Sequence, residues 1–149
     1  MSEENIRAAT PWWFWVISIF LVLWNLMGLW DYYNSMTLNE GYLMEMGEDI
    51  GAGMIAFLEA MPIWAKTVWG IAIFSSMGGA LLLLVKKALA FKVFVLAFVM
   101  MVLSFCYQFF VGEMPAVPTW VHVFTVILWV VSIFQIWFSR RMIANGILG

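Results

Sequence analysis

Four long stretches of this sequence carry no charged side chain: residues 8–30, 67–85, 93–112 and 114–139. They contain 23, 19, 20 and 26 residues and are dominated by Leu, Val, Ile, Phe, Met and Trp. A helix needs about 20 apolar residues to cross the roughly 30 Å hydrocarbon core of a bilayer. The pattern therefore predicts an all-α integral membrane protein with four spans in one domain over residues 1–149. We expect the spans at about 11–31, 62–85, 89–111 and 118–138.

The overall composition favours a bilayer over water as the solvent. Hydrophobic residues make up 65% of the chain and charged residues only 11%, whereas about a quarter of the residues in a soluble domain are charged. The formal net charge is −2 and no basic patch is present, so we expect the lipid bilayer as a partner and no nucleic acid.

Basic residues are confined to segments that alternate along the chain. Arg7 precedes the first span, three lysines fill the link between the second and third, and two arginines follow the fourth: Lys86, Lys87, Lys92, Arg140 and Arg141. The other two links are acidic, and only Lys66 is basic there. Because cytoplasmic loops carry the excess of Lys and Arg, this asymmetry predicts an antiparallel four-helix bundle with both termini in the cytoplasm.

The first acidic link is long enough to form structure of its own. Apolar residues recur there at helical spacing, which predicts an extra amphipathic helix over about 37–60. Thr37 and Glu40 fit a capping box at its start, and three glycines predict a bend: Gly47, Gly51 and Gly53. This helix is either an ordinary connection or a functional element, a gate over a cavity or a docking surface for a partner.

Polar side chains within the spans are the main indication of a site, because such groups are costly in hydrocarbon. The first span carries Ser18, Asn25 and Tyr32 at seven-residue spacing. Antiparallel order places a set of polar residues in the outer half of the bilayer: Asn25, Tyr32, Lys66, Tyr107, Gln108, His122 and Thr125, with Asp31 beside them. They form either hydrogen bonds that join helices or an outward-facing ligand pocket. Gln135, near the inner edge of the fourth span, stands apart from this set.

The second span contains small residues at four-residue spacing, which lets another helix approach closely. Two rows share this spacing: Ala72, Ser76 and Ala80, with Ser75 and Gly79 beside them. The partner helix lies either within the chain or in a second protomer.

Signatures of catalysis are missing from the sequence. With one His and one Cys there is no zinc site and no bis-His haem. We find no phosphate-binding loop and no nucleophile elbow, and no carboxylate lies near the centre of a span. We therefore expect a protein that is not an enzyme and holds no cofactor.

Short motifs spread over most of the chain carry a resemblance to known proteins. They are Trp24-Asn25-Leu26-Met27-Gly28 with Tyr32 and Met36-Thr37, then Met61-Pro62-Ile63-Trp64-Ala65-Lys66, and the leucine run that ends at Lys86-Lys87 with Ala90 after it. In these the chain resembles a family of small four-helix proteins of the bacterial inner membrane, of unknown function and sometimes labelled sugar transporters. The resemblance implies four helices in a bacterial cytoplasmic membrane and assigns no functional residue.

Three functions are compatible with these patterns. The first is a non-catalytic accessory or scaffold subunit that packs against itself, as a homo-oligomer, or against another membrane protein. The alternative is a small oligomeric transporter or binding protein for a polar or amphipathic solute, working through the outer pocket. A third, a redox or quinone-handling subunit, requires a haem or a quinone.

Overall fold

The computed structural model describes residues 9–149 and confirms the all-helical fold class. Within this range the elements are α1 (Trp12–Met36), α2 (Glu40–Leu43), a 3₁₀ turn (Met44–Met46), α3 (Glu48–Ala60), α4 (Ile63–Leu84), α5 (Leu89–Phe110) and α6 (Thr119–Ala144). The four long helices, α1, α4, α5 and α6, are long and apolar enough to cross a membrane. α1 continues past the predicted end near residue 31 as far as Met36. Arg7, which entered the prediction of orientation, lies outside the described residues.

The four long helices alternate in direction and form a bundle. α4 packs between α1 and α5, and α6 packs against α5. Two ends can be defined by their charges. The basic end holds the α4–α5 link and the C-terminal end of α6, and the acidic end holds α2, α3 and the α5–α6 link.

Three of the four membrane helices begin directly after a proline. Pro11, Pro62 and Pro118 occupy the N-cap positions of α1, α4 and α6, each with an extended backbone near φ −65° and ψ 150°. A proline at a helix start sacrifices no hydrogen bond, because the first N–H groups have no partner within the helix. The prolines therefore set where the membrane helices begin.

The basic end is closed by aromatic rings and by the last residues of the chain. Phe14 of α1 stacks on Phe138 of α6 with 6.0 Å between ring centroids. Ile147 and Leu148 are buried in the same cluster. The Gly149 N–H donates to the Lys86 carbonyl, and the Ala88 N–H donates to the Gly149 carbonyl, both at 3.1 Å. The tail is thus tied to the α4–α5 link by two backbone hydrogen bonds.

The acidic end is covered by the segment from α2 to α3, which we call the cap. Leu43, Phe57 and Leu58 of the cap are buried together with Met61, which directly follows the cap, Ala65 of α4 and Tyr107 of α5. The predicted amphipathic helix is present but interrupted, since Gly47 has φ 111°, a conformation that side chains disfavour.

The predicted capping box at Thr37 is wrong. Thr37 instead ends α1, where its hydroxyl donates to the Tyr33 carbonyl at 2.8 Å. Asn39 caps α2 through its side chain, which accepts from the Tyr42 N–H at 3.3 Å. α1 continues as far as Met36, so Thr37 is the C-cap of α1 and does not begin the next helix.

α4 and α5 approach each other closely at Gly79. A Cβ added to Gly79 would lie 2.7 Å from the Phe94 ring, whereas a Cβ added to the adjacent Gly78 would lie 3.9 Å from Val93. Phe94 is fully buried, so its ring has little room to move.

We predict that Gly79→Ala destabilises the bundle by about 1–3 kcal/mol, because overpacking forces side chains and backbone to shift. Gly78→Ala is the matched control and should leave stability unchanged or slightly raised. Thermal unfolding of the purified protein in detergent measures both. Equal midpoints for the two variants would contradict the packing described at Gly79.

Candidate functional site

The candidate pocket residues lie toward the acidic end, and among them Tyr32 bonds to a neighbouring helix. Its hydroxyl donates to the Lys66 carbonyl at 3.4 Å, and its ring meets Trp69 edge-on at 5.1 Å between centroids. Gly70 makes room for the phenol, since a Cβ there would lie 2.6 Å from the hydroxyl oxygen. Tyr32 therefore joins α1 to α4.

Three other candidates bond within their own helices. The Asn25 amide donates to the Leu21 carbonyl at 2.7 Å, and the Thr125 hydroxyl donates to the Val121 carbonyl at 2.9 Å. The Gln108 amide donates to the Ser104 hydroxyl one turn earlier at 3.2 Å. These bonds satisfy polar groups in an apolar environment without requiring a partner from another helix.

The remaining candidates have separate surroundings. Tyr107 is buried under the cap and meets the Trp64 ring edge-on at 5.4 Å. Lys66 is half-buried and His122 is exposed on α6. Among the hydrogen bonds of residues 9–149, the one from Tyr32 to Lys66 alone joins two of the seven candidates. Their binding of a ligand stays a prediction.

A polar contact that the sequence did not indicate lies deeper in the bundle. The Ser76 hydroxyl of α4 donates to the Gln135 side-chain oxygen of α6 at 3.0 Å, and Gln135 is buried. Ser18 of α1 is completely buried, and its hydroxyl has no hydrogen-bond partner among residues 9–149.

These three residues lie at a similar height. Phe14 and Phe138 stack on each other. Ser18 lies one helical turn from Phe14 along α1, and Gln135 lies one turn from Phe138 along α6, both toward the acidic end. Phe14 and Ser18 share the buried face of α1, as Gln135 and Phe138 share that of α6. We call Ser18, Ser76 and Gln135 the central polar layer. The sequence shows Ser18 in one row with Asn25 and Tyr32, but it presents Gln135 as an isolated residue near the inner edge of the fourth span.

Most of the small residues of α4 pack against or bond to other helices of the same chain. Ala72, Gly79 and Ala80 are buried, Ser76 bonds to Gln135, and Gly79 meets the Phe94 ring. Ser75 lies beside them, is half-buried and lines a groove between α4 and α5. For the buried members, the partner helices are those of the same chain.

The outer face of the cap is acidic. Exposed carboxylates surround the acidic end: Asp31, Glu40, Glu45, Glu48, Asp49, Glu59 and Glu113. The Tyr42 hydroxyl donates to the Asp31 carboxylate at 2.8 Å. Burial raises the pKa of Tyr42, and the neighbouring carboxylates raise the pKa further. Tyr42 therefore remains a donor at physiological pH and ties the cap to the end of α1.

No group of three or more His, Cys, Asp or Glu side chains within residues 9–149 is arranged to hold a metal ion.

We predict opposite effects for two serine substitutions in the central polar layer. Ser18→Ala should raise the free energy of unfolding by about 1 kcal/mol, because it removes a buried hydroxyl that has no partner. Ser76→Ala should lower the free energy of unfolding by about 1–3 kcal/mol, because it leaves the Gln135 oxygen unsatisfied. Reversible unfolding in detergent measures both changes. A loss of stability in Ser18→Ala would show that its hydroxyl has a partner, a bound water or solute.

Comparison with known proteins adds no relative to this description. No family model matches the chain, and searches of curated proteins and of solved structures find no match. The resemblance to small four-helix bacterial proteins therefore stays a prediction.

Proposed function

We propose that this multi-pass membrane protein is a non-catalytic accessory or scaffold subunit. In this role the outward face of α6 packs against a helix of a second copy or of another membrane protein. We place it in a bacterial inner membrane with both termini in the cytoplasm. The clustering of Lys86, Lys87, Lys92, Arg140 and Arg141 at one end supports that orientation.

A regular row of exposed side chains on α6 carries the proposal. We call this row the α6 seam, and its spacing alternates between three and four residues: Val123, Val126, Val130, Ile133 and Trp137. Each side chain is 54–62% exposed. Alternating spacing of three and four is the pattern by which two helices interlock in left-handed coiled coils and in most transmembrane bundles.

The position of the seam on α6 supports an external partner. At about 100° per residue, the seam lies opposite the buried residues Gln135, Ser139 and Met142. α6 is also the least covered of the four membrane helices, with 11% of its apolar window buried against 22–28% for the others. Residues 9–149 therefore leave this face of α6 uncovered.

The residue types in the seam also favour packing against a helix. Four of the five are β-branched, and such side chains have few rotamers in a helix. They lose little conformational entropy when another helix packs on them. In a bilayer, where lipid is as apolar as leucine, close packing supplies much of the attraction between helices.

We predict that single cysteines on the seam form cross-links between copies in native membranes when the protein acts as its own partner. The variants are Val126→Cys, Val130→Cys and Ile133→Cys in a Cys106→Ser background, since Cys106 is exposed on α5. Ile127→Cys is the matched control, because Ile127 is exposed but lies off the seam. Gel mobility under non-reducing conditions measures the adducts.

If the partner is a different protein, photo-reactive residues at positions 126, 130 and 133 should each yield an adduct of the same mass, and position 127 should not. Equal yields at residue 127 and at the seam, or no adduct at any position, would contradict the proposal.

A second candidate function, binding or transport of a small polar solute, draws on the unpartnered Ser18 hydroxyl. A polar group at 0% exposure without a partner is costly, and a solute bound at the central polar layer would supply one. The observation favours this layer over the outer pocket, because Asn25, Gln108 and Thr125 bond within their own helices. The sign of the stability change in Ser18→Ala distinguishes an occupied layer from an empty one.

A further inference from the structure

A groove of about 450 Å³ runs between α1 and α6 at the basic end. It exists because the two helices meet through rings: Trp13 contacts Phe138 edge-on at 6.3 Å between centroids, and Phe14 stacks on Phe138 at 6.0 Å. These rings hold the backbones apart and leave a channel along the surface of the bundle. The groove is independent of the α6 seam proposed above, apart from Trp137.

The groove changes from polar to apolar along its length. Arg141 and Asn145 line it toward the basic end, Trp13 and Trp137 lie next, and Ile17 lies deeper along α1. An amphipathic molecule with a polar head at the membrane surface and a chain in the hydrocarbon has the same order. The groove therefore has the polarity of one phospholipid in a bilayer leaflet.

We propose that the α1–α6 groove binds one anionic phospholipid, with the phosphate on Arg141 and an acyl chain along Ile17. A planar guanidinium presents paired N–H donors that fit phosphate oxygens. The indoles of Trp13 and Trp137 have an apolar body and one N–H donor, which suits the level of the lipid headgroup.

The charges around the groove favour an anionic over a zwitterionic lipid. Within residues 9–149 every carboxylate side chain lies at the acidic end, a helix length away, while five cationic side chains surround the basic end: Lys86, Lys87, Lys92, Arg140 and Arg141. Basic pockets between membrane helices bind anionic headgroups in this way.

Comparison with a second groove shows that Arg141 distinguishes the α1–α6 groove as a site for a headgroup. The groove between α4 and α5 is larger, at about 550 Å³, but its lining is Phe74, Ser75, Gly78, Leu81, Leu82, Val85 and Val93. No charged side chain is among them, so this groove can hold an acyl chain without fixing a headgroup. The α1–α6 groove combines both features.

Native mass spectrometry of the full-length protein with equal amounts of phosphatidylglycerol and phosphatidylcholine tests the proposal. The wild-type protein should retain one phosphatidylglycerol in preference to phosphatidylcholine. Arg141→Gln should reduce this preference by roughly tenfold, because it removes hydrogen bonds to a charged group. Arg140→Gln is the matched control: it removes the same charge from the neighbouring residue, which does not line the groove, and it should keep the preference.

Ile17→Trp, which fills the deeper part of the groove, should lower retention of both lipids while the thermal unfolding midpoint shows that the protein is folded. The proposal is overturned if the two arginine variants lose phosphatidylglycerol equally, since that indicates a diffuse attraction to the basic end. It is also overturned if the wild-type protein retains both lipids equally, or if inorganic phosphate at millimolar concentration displaces the lipid.

Discussion

Hydrocarbon offers no hydrogen-bond partner, so every polar group that enters it must find one within the protein. The backbone meets this constraint through four long helices, which bond each N–H to a carbonyl one turn earlier. Several polar side chains meet it in the same way, as the Asn25 and Thr125 bonds to carbonyls four residues earlier illustrate. A polar side chain in a span is therefore no sign of a pocket when its own helix can satisfy it. Polar groups that bond to another helix or lack a partner are the better indication of a site.

The two ends of the bundle meet water in different ways, and both are covered by segments of the same chain. At the basic end the tail residues Ile147 and Leu148 are buried, and Gly149 bonds to the α4–α5 link. At the acidic end the cap buries Phe57 and Leu58 over Tyr107 and turns its carboxylates outward. The side of the bundle thus becomes its main apolar surface. This arrangement supports a role exercised laterally, by contact with a neighbouring helix or lipid, more than a role that depends on passage along the bundle axis.

The sequence predicted the features that depend on the solvent and missed those that depend on side-chain neighbours. Absence of charge over some 20 residues is enough to predict a membrane helix, because the cost of a charge in hydrocarbon exceeds any local preference. The predicted capping box at Thr37 is wrong because α1 continues to Met36, which makes Thr37 the C-cap of α1. The predicted pocket rests on the helical spacing and the depth of the polar residues, and neither reveals that Gln108 bonds to Ser104 on its own helix. The bond from Ser76 to Gln135 depends on which faces of α4 and α6 meet, and helical spacing within one segment does not determine that.

The two proposed contacts on α6 share one residue, so the two proposals taken together imply that the contacts are coupled. Trp137 is 58% exposed, completes the α6 seam, and also lines the α1–α6 groove. A lipid that fixes the orientation of this indole removes conformational freedom that a docking helix would otherwise have to remove. By thermodynamic reciprocity, a partner that orders Trp137 raises the affinity for the lipid by the same factor. If both sites are occupied in the membrane, the subunit would thus associate more strongly in a bilayer rich in anionic lipid, with Trp137 as the point of coupling.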